Sequence, residues 1–176
     1  MRRKEKEVLD HNQIMEVLRR CSVINFAMHN DDYPYVQTMN FGFADTKDGL
    51  KIYLHGASEG KTPELLKKNN KVGFIIYRNY GVDIGKTVCG STTLFESVCG
   101  YGDIHFLETP EELNDALRIL IQHAGDMRTD DFHAEHFKKM AVYRLDVKEY
   151  TCKVASTDTA AMYQNWANKT MNSAKE

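Results

Sequence analysis

The stretch from Leu50 to Val72, LKIYLHGASEGKTPELLKKNNKV, constrains the fold more than any other part of the chain. It opens as a strand, because Leu50, Ile52 and Leu54 alternate with Lys51, Tyr53 and His55 at the two-residue period of a pleat. The small and polar run Gly56-Ala57-Ser58-Glu59-Gly60 breaks the strand, and a helix is predicted from about Thr62. Thr62 is the expected N-cap, Pro63 fits the first helical position, and Leu65 and Leu66 supply an apolar face. Asn69-Asn70 ends the helix. A strand end, a small-residue turn and a helix N-terminus with Lys61 beside it form an anion site when the turn amides point outward. The same pattern also describes an ordinary strand-to-helix connection with a solvated lysine, and the residues alone leave both readings open.

The chain of 176 residues is long enough for one domain with a sizeable core. A formal net charge of -2 gives no global basic field to recruit nucleic acid or an acidic membrane. The start, Met1-Arg2-Arg3-Lys4-Glu5-Lys6, is too short and too mixed in sign for a nucleic-acid arm. No apolar run reaches the roughly twenty residues of a membrane helix, and no apolar segment follows the basic start. Cys21, Cys89, Cys99 and Cys152 are scattered without a CxxC pair, which suits reduced thiols. The expectation is a soluble cytoplasmic protein with neither a nucleic-acid nor a membrane partner.

Taken in order, Val8 to Arg20 reads as an amphipathic helix capped by Asp10 or Asn12. Cys21 to Met28 and Tyr33 to Phe43 read as strands either side of the His29-Asn30-Asp31-Asp32 turn, and Gly49 is placed to supply a positive φ. Val72 to Arg78 is a continuous apolar run that suggests burial on both faces. Asn79 to Gly90 reads as an irregular loop. Ser91 to Ile104 follows as a long strand in which Gly100 and Gly102 imply a bulge or a close backbone approach. Thr109-Pro110-Glu111-Glu112 starts a helix that ends near Gly125, Asp130 to Met140 reads as a shorter helix, and Met140 to Tyr150 as a final strand. A terminal helix over Thr157 to Thr170 would carry Met162, Tyr163 and Trp166. Six or so mainly antiparallel strands with flanking helices make an α+β fold, its sheet closed into a small barrel. The division is a domain over 1–155 and a helical extension and tail over 156–176.

Two apparent motifs fail on spacing. Gly85-Lys86-Thr87 resembles the end of a phosphate-binding loop, but Tyr80 stands where that loop needs its first glycine. His133 and His136 could share a metal on one helix face, yet without a third ligand nearby they read as surface histidines. No metal site is expected. Haem held by one of the seven histidines stays open.

Three stretches, taken together, carry a resemblance: Asp31 to Gly42 (DDYPYVQTMNFG), Tyr53 to Lys61 (YLHGASEGK) and Phe95 to Gly102 (FESVCGYG). In order and spacing they resemble the nitroimidazole-resistance (Nim) branch of the pyridoxamine 5'-phosphate oxidase-like flavoproteins, over roughly residues 1–155. The resemblance implies a split β-barrel homodimer that holds FMN in two clefts between subunits. It places Lys61 and the amides around Ser58, Glu59 and Gly60 at the FMN phosphate, with Gly56 and Ala57 leading into that turn. It lays Gln37, Thr38, Met39, Asn40 and Phe41 along the isoalloxazine edge, brings Ser97 and Val98 from a neighbouring strand, and sets His55 near the cofactor. His55 is the expected catalytic side chain, because an imidazole can donate a hydrogen bond and exchange a proton in the neutral range.

The activity implied is that of an FMN-dependent oxidoreductase, reduced by NAD(P)H and passing electrons to a small acceptor such as a nitroaromatic. The alternative is a flavin- or haem-binding protein without turnover. Two positions depart from the family pattern: Thr38 stands where proline is frequent, and Glu96 where arginine is common. Basic residues for a second phosphate are also missing, so the vitamin-forming oxidation is not carried over.

Overall fold

The computed structural model describes residues 4–125 and 139–155. Within them, eight strands form one sheet in which each paired neighbour runs antiparallel. The elements are β1 (Glu7–Val8), α1 (His11–Arg20), β2 (Val23–Met28), β3 (Tyr35–Asn40), β4 (Gly42–Thr46), β5 (Gly49–Ala57), α2 (Lys61–Lys68), β6 (Lys71–Asp83), β7 (Thr92–Phe106), α3 (Pro110–His123) and β8 (Met140–Val154). The strands follow the order β3-β2-β6-β7-β8-β5-β4, with β1 added to β8. The two ends of that path, β3 and β4, are joined in the chain by Phe41 alone. The sheet therefore curls until its ends meet at one corner, which is an α+β split barrel.

Several elements have visible local causes. Asp10 caps α1 by accepting from the Gln13 amide. Thr109 and Glu112 form a reciprocal capping box at α3, and Pro110 occupies its first turn. Gly49 takes φ 102° in the β4–β5 turn, which an L side chain would resist. The bulge implied by the glycines of β7 lies between Tyr101 and Gly102, where β7 slips against β8. A Cβ on Gly102 would stand 2.3 Å from the Asp146 carbonyl oxygen.

Inside the barrel, Phe26, Ile52, Leu54, Ile76, Val98, Ile104 and Leu145 pack with Val17 and Leu18 of α1. A second, smaller cluster lies under α3, where Leu113, Ala116, Leu117 and Leu120 cover Leu107 and Val142. Each fully buried aliphatic or aromatic side chain contributes about 1.5–3 kcal/mol of transfer free energy, so the barrel interior dominates the stabilisation.

Three expectations need correction. Val72 to Arg78 is not buried on both faces: Val72, Phe74 and Ile76 face the core, while Ile75 is 39% exposed and Tyr77 53%. The run is apolar on both sides, but only the inner side has a layer packed on it within one chain. Tyr33 to Phe43 is not one strand but two, β3 and β4, divided at the buried Phe41. The loop expected over Asn79 to Gly90 begins only at Ile84, because β6 continues to Asp83 and pairs with β7 as far as Thr92. The helix expected over Asp130 to Met140, the pair His133 and His136, and the helix with Trp166 lie outside the described residues, except that Met140 begins β8.

Candidate functional site

A cleft of about 540 Å³ opens at the split of the barrel, between the end strand β3 on one side and the end of β5 with the start of α2 on the other. That volume is within the roughly 300–1,000 Å³ of small-molecule sites. β3 contributes Gln37, Thr38, Met39 and Asn40, together with Tyr35. Because β3 pairs only with β2 in the sheet, its second backbone edge is turned to the split. From β5 and the turn come His55, Gly56, Ala57 and Glu59, and from α2 Lys61, Thr62 and Pro63. β8 contributes Tyr143.

The phosphate-type geometry lies at α2. The helix begins at Lys61, one residue earlier than expected, and its N-cap is Gly60 at φ 113° rather than Thr62. Gly60 offers no side chain, so no capping hydrogen bond closes the helix end. The first intrahelical bond runs from the Glu64 amide to the Gly60 carbonyl, 3.2 Å long. The amides of Lys61 and Thr62 thus precede the hydrogen-bonded ladder, and Pro63 has no N–H to offer. Lys61 and Thr62, which carry those two amides at the positive end of the helix dipole, both line one side of the cleft. Glu59 lines it too, so the turn has no net formal charge and its preference for an anion rests on the amides and the dipole. Thr62 is buried, and its hydroxyl lies 3.5 Å from Gln37 Oε1, linking α2 to β3.

His55 is exposed at the rim, one residue after the buried Leu54 and directly before Gly56. The strand period sends its ring to the outer face, opposite to Leu54. Thr38 donates from its hydroxyl to Asn25 Oδ1 at 2.6 Å, on the outer face of β3.

Of the residues expected at the cofactor, Gln37, Thr38, Met39, Asn40, His55, Gly56, Ala57, Glu59 and Lys61 line this one cleft. Ser58 and Gly60 lie in the turn without lining it, and the Ser58 amide donates to the Lys139 carbonyl. Phe41, Ser97 and Val98 are buried; Phe41 and Val98 belong to the barrel core. Ser97 and Val98 sit on β7, which is separated from β3 by β6 and β2.

The position of Glu96 is occupied by a different interaction. Its carboxylate is 0% exposed and accepts from Arg20 of α1 and from the Tyr80 hydroxyl, while Arg78 donates to the Arg20 carbonyl at 2.7 Å. Tyr35, Thr62, Pro63 and Tyr143 were missed at the sequence level. Tyr35 shares the face of Gln37 and Met39 at period two and could have been found that way. Tyr143 lies 88 positions from His55 in the sequence, and nothing local marks it.

A family profile described as pyridoxamine 5'-phosphate oxidase matches residues 10–154. The chain belongs to that family. Among solved structures, it is similar to a candidate 5-nitroimidazole antibiotic resistance protein from Bacteroides thetaiotaomicron VPI-5482, at 25% identity and TM-score 0.71 over 84% of this chain and 86% of that one. It also shares its fold with a flavocytochrome from Azotobacter vinelandii (19% identity, TM-score 0.72, covering 93% and 77%). A third neighbour in fold is an FAD- and haem-binding protein from Mycobacterium smegmatis (14% identity, TM-score 0.75, covering 85% and 73%). No curated protein matches the chain. No helix among the described residues is long and apolar enough to cross a membrane.

Proposed function

We propose that this chain is an FMN-binding homodimer that acts as an oxidoreductase, taking reducing equivalents from NAD(P)H and passing them to a small acceptor such as a nitroaromatic. The observation that carries the reading is the N-terminus of α2, where the Gly60 cap offers no side chain and Lys61 and Thr62, whose amides lie ahead of the helical ladder, line the cleft. These residues fit a phosphate monoester, and the remaining cleft, walled by the edge of β3 and by Gly56, suits a planar ring. When bound, FMN supplies the transfer of electrons between donor and acceptor.

The chain's own residues then have separable tasks. Lys61 and the α2 amides bind the phosphate. The backbone edge of β3, Gln37 to Asn40, offers donors and acceptors along the ring, and His55 at the rim exchanges a proton with the acceptor. Lys61 is the one Lys or Arg lining the cleft among the described residues, so it serves one phosphate and leaves none for a phosphorylated substrate. That supports an unphosphorylated acceptor over pyridoxamine phosphate.

The dimer is supported by the outer face of β6 and β7, where Ile75, Tyr77 and Tyr101 remain exposed. Titration with FMN followed by sizing tests the reading: a yellow species near twice 20.2 kDa is expected, bleached by NADH or NADPH without oxygen and recoloured by a nitroaromatic. A colourless monomer after FMN incubation overturns it. The second reading, binding without turnover, is favoured by the haem and flavin named for the fold neighbours. Bound flavin that no nicotinamide bleaches would select it, as would a Soret band after haem addition.

A further inference from the structure

Tyr143 occupies two environments at once. On β8 it pairs with Leu54 of β5 and Phe106 of β7, is 0% exposed, and meets the Phe106 ring edge-on with centroids 5.1 Å apart. It is therefore a core residue. It also lines the cleft, at the level where β5 carries Gly56. A Cβ on Gly56 would stand 3.9 Å from Tyr143 Cε2 and 3.0 Å from Met39 Cε, so the glycine leaves a gap that the Met39 methyl covers.

The Tyr143 hydroxyl is buried, and among the described residues it has no hydrogen-bond partner. A buried hydroxyl left unpaired loses its hydration without compensation, which is why such groups are nearly always bonded. Phenylalanine would pack the same ring against Phe106 without that loss. The hydroxyl thus works against the stability of the chain taken alone, and its place at the cleft points to a partner that arrives from outside.

We propose that the Tyr143 hydroxyl is a ligand contact, donating a hydrogen bond to an uncharged carbonyl or ring-nitrogen acceptor of a heteroaromatic ring in the cleft, with Met39 as the movable cover over it. The apolar neighbours, Phe106 and Met39, suit a neutral ring rather than a phosphate, which is left to α2. Burial pushes the Tyr143 phenol up to about 12, so the group is a protonated donor throughout the neutral range. Met39 is unbranched and flexible, so it can swing aside without moving the backbone of β3. For FMN the acceptor lies on the isoalloxazine, and to that extent the inference rests on the FMN reading.

The test is Tyr143→Phe, measured as apo-protein in thermal and urea unfolding and by FMN titration followed through flavin fluorescence. The expected result is an apo-protein at least as stable as the parent, with FMN affinity weakened about three- to tenfold, the worth of one hydrogen bond. A lowered unfolding midpoint of the apo-protein would mean that the hydroxyl has a structural partner, and would overturn the inference. Equal FMN affinity for variant and parent would overturn it too while leaving the FMN reading intact. A parent that binds no FMN would overturn both.

Discussion

Arg20, in the last turn of α1, straddles the fully buried carboxylate of Glu96 on β7, with Nε 3.1 Å from Oε1 and Nη2 2.8 Å from Oε2. This fork joins a helix to the middle of the sheet through the only kind of contact that a buried charge tolerates, one that is both ionic and hydrogen-bonded. Removing Arg20 leaves the buried carboxylate its hydrogen bond from Tyr80 but takes away the Arg20 charge. Arg20→Met is expected to destabilise the chain by about 3–5 kcal/mol, whereas Arg20→Met with Glu96→Leu should recover a large part of that loss. Urea unfolding of the parent, both single variants and the double variant gives the coupling directly.

Lys61 is the one Lys or Arg lining the cleft among the described residues, and it adds a charge-assisted contact to what the α2 amides and dipole supply. Lys61→Ala is expected to weaken FMN binding by about tenfold or more, as the loss of a charge-assisted contact implies. Its unfolding midpoint should stay close to the parent's, because Lys61 is exposed. Riboflavin, which lacks the phosphate, should bind parent and variant alike; a variant equally weakened toward riboflavin would move Lys61 away from the phosphate.

His55→Asn keeps a hydrogen-bond donor but no longer exchanges a proton. The variant should retain FMN and reoxidise more slowly with a nitroaromatic acceptor, with a flattened dependence on pH. Stopped-flow traces between pH 6 and 8 check this, and unchanged rates would leave His55 as a rim residue of the cleft.

His123 closes α3 by sitting 2.7 Å from the Cys21 carbonyl and between the rings of Phe41 and Phe43. Burial lowers its pKa below 6.5, and the bond to the Cys21 carbonyl offsets only part of that. Unfolded chains then take up a proton at a higher pH than folded ones. The contribution to stability is complete above pH 6.5 and is lost as pH falls through the window between 6.5 and the lower folded value. Denaturation midpoints at pH 7.5 and 5.5 should fall further for the parent than for His123→Gln.

The glycines of the sheet divide by what stands next to them. Gly102→Ala places a methyl 2.3 Å from a carbonyl of β8 and is expected to cost about 1–3 kcal/mol. Gly73→Ala meets nothing closer than 3.9 Å and should leave stability of the isolated chain almost unchanged or slightly raised. Calorimetry on the two variants separates close approach from chain entropy.

What was legible in the sequence was mostly local. The Thr109 cap, the Gly49 turn, the slip of β7 and the strand-turn-helix that builds the cleft each follow from neighbours within a few residues, where backbone chemistry is short-ranged. What was not legible depends on distant partners. The apolar run at Val72 cannot show that one of its faces lacks a covering layer. The break at Phe41 becomes visible only when β4 is seen to leave β2 for β5. Gly60 displaces Thr62 as the cap because Thr62 turns inward toward Gln37, a contact across 25 positions. Tyr143 reaches the cleft from the last strand, and only the closure of the barrel brings it there.

That closure also has a mechanical side. The two end strands are tied by a single residue, Phe41, whose side chain is buried, and the next position is pinned: a Cβ on Gly42 would stand 2.7 Å from the Ile119 carbonyl of α3. Such a corner behaves as the spine of a book. Because β3 is also held to β2 along its length, a wider aperture at the Tyr35 end would need β2 and β3 to turn together about that spine.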